Sequence, residues 1–419
     1  MLIQFSVENF ASYKKKAVLS LEPSYDTEHP ENVSAMDAYR ALNTIAIYGA
    51  NASGKTRLFQ ALTFATIIIR GSNSSQVNQA LPVLPFKLDK ESTKKPSKFE
   101  FIFVASDRNR YVYGFSADTK MIYEEYLYVY KTQRPTMIFE RKRNHDFAFT
   151  IAMEKELRPL VQWNTENKLF LATATMWNAE STRIPFQWLA ESVYTFTDPS
   201  YMYDFTIGRY KGEKSKEYVA FTERLLKKAD INVAHIHFKV NKVGEDRDGF
   251  VPGRLAYGQI TPAQQEQIEV HMEHEVKGKR GKIEKYQLGI QEESLGTSQL
   301  FFMGPILKDA FDYGKTIVID EIDRSLHTFI VKYLVDLFHN PDINKNRAQL
   351  IFTTHDTGLL SLETFRRDQI YFTEKDNDTG GSELYSLDDF PVRKKENIEK
   401  GYLLGRYGAI PFIVGKELF

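Results

Sequence analysis

The stretch that most limits what this chain can fold into is Gly49-Ala50-Asn51-Ala52-Ser53-Gly54-Lys55-Thr56. Its spacing, G-x-x-x-x-G-K-[ST], is that of a phosphate-binding loop. Gly49 and Gly54 let the backbone turn tightly and approach an anion. The successive N–H groups between them, through Asn51 and Ser53, then face one concavity. Lys55 adds a point charge for β- and γ-phosphates, and Thr56 a hydroxyl for Mg²⁺. The flanks fit. Residues 43–48 are a short apolar run of strand length, and residues 57–66 place apolar side chains at helical spacing without proline. Strand, glycine loop and helix is the context the motif needs, because the helix N-terminus adds its dipole to anion binding.

A phosphate loop needs an acid at the end of a buried strand, and Thr316-Ile317-Val318-Ile319-Asp320-Glu321 supplies one. Apolar and β-branched residues ending in carboxylates predict a central parallel strand. Asp320 is expected to hold Mg²⁺, and Glu321 to polarise a water for attack on the γ-phosphate. A third strand, Gln349 to Thr354, ends in His355, which is placed to reach the γ-phosphate or the water. Upstream, Ser294, Gly296 and Thr297 precede a helical stretch from Leu300. Small hydroxyl and glycine residues at a helix start make a second anion site or an ordinary helix cap. A monomer with one nucleotide hardly needs two such sites. A head-to-tail dimer does.

The 419 residues carry 55 basic and 55 acidic side chains. This balance argues against a strong, salt-sensitive affinity for DNA. The absence of cysteine excludes disulfides, cysteine metal sites and a thiol nucleophile, and fits the cytosol. The start shows no basic and apolar leader pattern, and no apolar run is long enough for a membrane span. Residues 2–10 alternate as a half-buried strand with a hairpin partner at 17–21, and residues 99–141 read as an antiparallel meander. Residues 165–230 lean helical, and 241–283 form a polar hairpin or insertion. His235 and His237 are expected on one strand face, and His271 and His274 on one helix face. Solvated histidines are the simpler reading than a metal site, since neither pair has an obvious third ligand. Asn241-Lys242-Val243-Gly244 lacks the acid that reads guanine, and no second acid cluster suggests a nuclease.

The order of these pieces resembles the ABC-type ATPase head of the SMC/RecF kind. More specifically it resembles the AAA-type ATP-binding proteins of bacterial abortive infection, the AbiLi/RloA-like family. The likeness is carried by Asn9-Phe10, the phosphate loop, Glu293 to Thr297, Ile319 to His327, Thr353 to Asp356, Arg367 to Phe372, and Gly405-Arg406-Tyr407-Gly408-Ala409-Ile410-Pro411. It implies ATP and Mg²⁺ as cofactors, with Lys55 and Thr56 on phosphate and metal and Asp320 as the Walker B acid. It implies Glu321 as catalytic base and His355 as switch histidine. Ser294 and Gly296 would complete a partner's site, with Asp323 in the following D-loop. It also implies a homodimer or higher homo-oligomer and a role in phage defence beside a separate nuclease, often of TOPRIM type. Any nucleic-acid contact would be indirect. A DNA-repair clamp of the RecF/SMC kind is the alternative. Ala11 and Thr328 depart from common family residues. The expected fold is α/β: a parallel core sheet, an antiparallel β subdomain and a helical insertion. The expected segments are 1–165, 166–285 and 286–419.

Overall fold

The computed structural model describes residues 1–143, 146–242, 266–394 and 396–411. The chain opens with strands β1 (Leu2–Glu8), β2 (Ala17–Ser20), β3 (Val33–Met36), β4 (Tyr39–Leu42) and β5 (Thr44–Gly49), and β5 leads into helix α1 (Lys55–Gly71). Then come β6 (Ser97–Val104), β7 (Arg110–Ala117), β8 (Ile122–Tyr130), β9 (Thr136–Lys142) and β10 (Asp146–Phe149). Helices α2 (Ile151–Leu157), α3 (Phe170–Met176) and α4 (Glu180–Glu191) precede β11 (Val193–Phe196). Helices α5 (Pro199–Lys211) and α6 (Ser215–Lys228) are followed by β12 (His235–Lys242), β13 (Glu266–Lys277) and β14 (Ile283–Gly289). The remainder is α7 (Leu295–Tyr313), β15 (Thr316–Ile319), α8 (Thr328–His339), β16 (Gln349–Thr353), β17 (Ile370–Lys375), β18 (Ser382–Ser386) and α9 (Ile398–Leu403).

Two compact units result: Met1–Asp198 with Asp309–Phe419, and Pro199–Lys308. The units divide the chain differently from the expected segments. Helices α3 and α4 lie in the first unit, where α4 packs on α1, and β11 pairs with β15. Ser294 and the first turns of α7 lie in the second.

The first unit holds two sheets. One has strand order β11-β15-β16-β5-β17-β18 and the other β10-β9-β8-β7-β6-β1-β2. The first is parallel except for β18, and the second antiparallel throughout. This is the α/β arrangement expected. Helix α1 is buried nearly all round, through Leu58, Phe59, Leu62, Ala65 and Ile69. Its Phe64 meets Phe10 and Phe99 of the antiparallel part, with ring centroids 5.5 and 5.1 Å apart. Ile45, Ile47, Val318 and Ile351 join this core. Strand side chains alternate between faces, so neighbours such as Ile317 and Phe352 are buried on the other face. Both faces of the parallel sheet are therefore apolar, which is why its strands read as continuous hydrophobic runs.

Two buried glutamines tie the layers. Gln349 accepts from Leu2 N–H (2.7 Å) and Thr316 Oγ1 (3.0 Å), and donates to Leu2 O (2.9 Å) and Leu42 O (3.1 Å). Gln369 accepts from Arg366 N–H (2.9 Å), which fixes its orientation, and donates to Thr44 Oγ1 at 2.7 Å. Thr44 in turn lies 2.7 Å from His339 Nε2. Gln369 Nε2, an amide nitrogen that can only donate, also lies 3.3 Å from this ring nitrogen, so His339 Nε2 accepts and the imidazole is neutral.

The second unit holds a three-stranded antiparallel sheet, β12-β13-β14. His235 and His237 share a face of β12, as alternation requires. His271 and His274 do not share a helix face. They lie on β13, where a spacing of three puts them on opposite faces. The polar, charge-rich strand imitates helical spacing because its alternation is masked by glutamates. Each histidine of the four has its own acidic neighbour: His235 with Glu223, His237 with Glu273, His271 with Glu269 and His274 with Glu293. Residues 243–265 of the expected 241–283 insertion fall outside the described residues.

Burial pushes the His339 pKa from 6.5 down to about 3. The unfolded chain takes up this proton below pH 6.5 and the fold does not until about pH 3. Stability is thus full above 6.5 and should fall by ~1.4 kcal/mol per pH unit as the pH drops between them. Urea unfolding of His339→Asn should show a slope shallower by one proton over that window. An unchanged slope would show that His339 is not held neutral.

Candidate functional site

The loop 49–54 is shaped by its two glycines. Gly49 has φ 153° and Gly54 φ 124°, values that favour glycine. A Cβ on Gly49 would run into the backbone oxygen of Thr373, and one on Gly54 would lie 2.5 Å from Ser382 Oγ. Lys55, directly after Gly54, reaches back over the loop, donating to Gly49 O at 2.7 Å and Ala50 O at 3.1 Å. Burial lowers its pKa, against Asp320, Glu321 and Asp323, which raise it. Ser53 turns its hydroxyl to Thr373 Oγ1 on β17, 2.5 Å away. Asn51 is exposed at the tip, and Thr56 is half-buried on the first turn of α1. Tyr13, fully buried, donates to Gly54 O at 3.1 Å.

Strand β16 lies between β15 and β5, with Ile319 opposite Phe352 and Thr353 opposite Ile47. All three run in parallel, so their C-terminal ends share one edge of the sheet. That edge gathers the loop, Asp320-Glu321 and His355. Thr353, fully buried, is its joint: the hydroxyl accepts from Glu321 N–H at 2.7 Å and donates to Asp320 Oδ1 at 2.6 Å. Glu321 is held at φ 51°, a left-handed conformation that a non-glycine residue adopts only where its surroundings fix it. Its side chain is exposed. Asp323 Oδ2 accepts from His355 N–H at 3.3 Å, while its Oδ1 is buried without a hydrogen bond. Burial lowers the His355 pKa, and Lys55 acts in the same direction. His355 is thereby favoured in the neutral form, able to accept as well as donate.

These residues meet the chemical requirements for Mg²⁺ and a triphosphate. The loop keeps its tight turn only because Gly49 and Gly54 have no Cβ to press on Thr373 and Ser382 behind it. The Lys55 ammonium rests on two carbonyls that phosphate oxygens could replace, and Thr56 and Asp320 offer hard oxygen ligands. Beside α1 lies a cleft of about 350 Å³. Leu84, Pro85 and Phe86 wall it with Arg57 and Lys375 at its rim. Ala11 lines it too, donating from its N–H to Leu84 O at 2.6 Å.

Ser294 and Gly296 belong to the other unit. Ser294 Oγ accepts from Thr297 N–H at 3.1 Å, so it caps α7. Sequence reasoning missed Tyr13, Thr373 and Ser382, and gave Thr353, though part of the likeness, no role. Only Thr353, a polar residue at the end of an apolar strand, carried a signal that could have been noticed.

Thr353→Val should leave Glu321 N–H unmatched and release Asp320. Nucleotide hydrolysis should fall about tenfold or more, the effect of losing ~1–3 kcal/mol at a buried polar joint. Binding of a fluorescent ATP analogue should persist, and Thr353→Ser should restore turnover. Wild-type turnover in Thr353→Val would show that the joint does not set the acids.

No curated protein matches this sequence at a significant level. Solved structures resemble it over most of its length. The SMC head bound to the C-winged helix domain of ScpA covers 92% of this chain and 97% of its own, with a TM-score of 0.39 and 13% identity. The SMC head domain from Thermotoga maritima gives 92%, 98%, 0.40 and 10%. The recombination mediator RecF with ATP gives 92%, 97%, 0.38 and 12%. None of the described helices is long and apolar enough to cross a membrane. Residues 45–361, about three quarters of the chain, match one family across the loop, the acidic strand and the histidine strand, and the chain belongs to that family, described as "AAA domain, putative AbiEii toxin, Type IV TA system".

Proposed function

We propose that this chain is an ATP-hydrolysing head that closes with a second copy around nucleotide and acts as a sensor in anti-phage defence, controlling a separate nuclease. The observation that carries the ATPase reading is the gathering of Lys55, Asp320, Glu321, Asp323 and His355 at one sheet edge, close enough to act on one another's charge. Lys55 and the loop amides hold the phosphates. Thr56 and Asp320 hold Mg²⁺, which when bound neutralises charge on the β- and γ-phosphates. Glu321 takes a proton from the attacking water, and neutral His355 donates a hydrogen bond toward the γ-phosphate. The cleft beside Arg57 takes the base. Ser294 and Gly296, at the start of α7, serve the partner copy's phosphate, and Asp323 links the two sites.

The defence reading is supported by the family's description as a toxin-type AAA domain and by the end-to-end resemblance to abortive-infection ATPases. The effector is a separate protein, since no second acid cluster follows the ATPase motifs in the sequence. The balance of 55 basic and 55 acidic residues favours this reading over a DNA clamp.

Lys55→Ala should abolish ATP binding. Glu321→Gln should keep it and lower hydrolysis by about 10²–10⁴, the usual worth of a general base. Phosphate release and nucleotide titration separate the two. Equal turnover in Glu321→Gln and the parent chain would overturn the catalytic assignment. In cells, phage should plate equally with and without Lys55→Ala, and less efficiently on cells carrying the parent chain with its neighbouring genes. No loss of plating with the parent would overturn the defence reading.

A further inference from the structure

The second unit ties its sheet to the Ser294 segment at successive residues. Strand β14 ends at Gly289, whose N–H donates to Glu292 Oε2 at 2.6 Å. The next residue, Ile290, donates from its N–H to Val270 O on β13 at 3.0 Å. Ser298 Oγ reaches back from α7 to Ile290 O at 3.2 Å. Lys285 on β14 donates to Glu273 on β13 at 2.9 Å, locking the two strands. The turn between sheet and helix is thus short and held at both ends.

Within that turn stands Glu293, directly before the capping Ser294. Its side chain is 7% exposed, and its carboxylate meets His274 Nε2 at 2.6 Å. His274 shares its face of β13 with the buried Val270 and Met272, so it reaches Glu293 from a fixed strand rather than from a loop. A carboxylate removed from water in this way depends on its partner. Without His274 it would turn outward for hydration and carry the adjoining Ser294 with it. Misplacing a phosphate-contacting group by about 1 Å costs on the order of 10²-fold in rate.

We infer that His274 is a positioning residue for the Ser294 segment: its bond to Glu293 lets the β12-β13-β14 sheet set how Ser294 is presented to a second copy. The inference rests on the proposed head-to-tail dimer. It makes the sheet an input to hydrolysis, since anything that shifts β13 shifts the residue offered to the partner's γ-phosphate.

The test is the dependence of specific ATPase activity on protein concentration, with His274→Ala, His274→Gln and Ser294→Arg beside the parent chain. Fluorescent ATP analogue binding is measured on each. His274→Ala should raise the concentration for half-maximal activity about tenfold, as loss of one charge-assisted bond predicts, while analogue binding stays unchanged. His274→Gln, whose amide can still donate to Glu293, should recover most of the difference. If Ser294→Arg abolishes the concentration dependence and His274→Ala leaves it as in the parent, the inference fails and the dimer reading stands. If Ser294→Arg also has no effect, both fail. A drop in melting temperature for His274→Ala with unchanged concentration dependence would make the bond a packing contact only. Should His274→Ala not fold, Glu293→Gln gives the same comparison from the other side of the bond.

Discussion

Everything at the candidate site depends on the parallel pairing of β15, β16 and β5. Because β16 lies in the middle, the ends of three strands far apart in sequence are neighbours. Gly49, Asp320 and His355 are brought to one edge by backbone hydrogen bonds, before any side chain acts. Thr353 then converts nearness into geometry. Its single hydroxyl, with one donor and a lone pair in use, fixes both the Glu321 backbone and the Asp320 carboxylate. A valine would fill the same space and lose both bonds.

The pairing itself needs both faces covered. Helix α1 fills one face and joins the parallel sheet to the antiparallel one through Phe64, Phe10 and Phe99. The same helix begins at Lys55, so its packing also fixes the phosphate loop. Gln349 and the chain from Gln369 through Thr44 to His339 satisfy polar groups that would otherwise be stranded in this interior. Each is a place where burial is tolerated only because the hydrogen bonds close.

Much of this was legible in the sequence because it is local. The glycine loop, the strand ending in Asp320-Glu321 and the strand ending in His355 each announce themselves within about ten residues. The order of motifs supplied the fold class. The supporting residues were not legible, because their partners are remote. Gln349 contacts Leu2, Thr373 contacts Ser53, and Tyr13 contacts Gly54. Strand β11 hid within a helical stretch, being four residues long and stabilised by pairing with β15. On β13 the spacing of His271 and His274 imitated a helix, since a polar strand gives hydrophobic periodicity little to work with. Ser294 was visible as a helix cap, but a cap and a phosphate contact for another copy have the same sequence signature.

That ambiguity bears on the central claim, that ATP closes two copies across the Ser294 segment. Light scattering of Glu321→Gln with and without ATP and Mg²⁺ tests it most directly, since this change should allow binding while blocking hydrolysis. The account predicts that ATP doubles the mass, and that adding Ser294→Arg prevents the doubling. An unchanged mass with ATP demonstrably bound would contradict it, and would leave Ser294 as a helix cap in a P-loop ATPase that works alone.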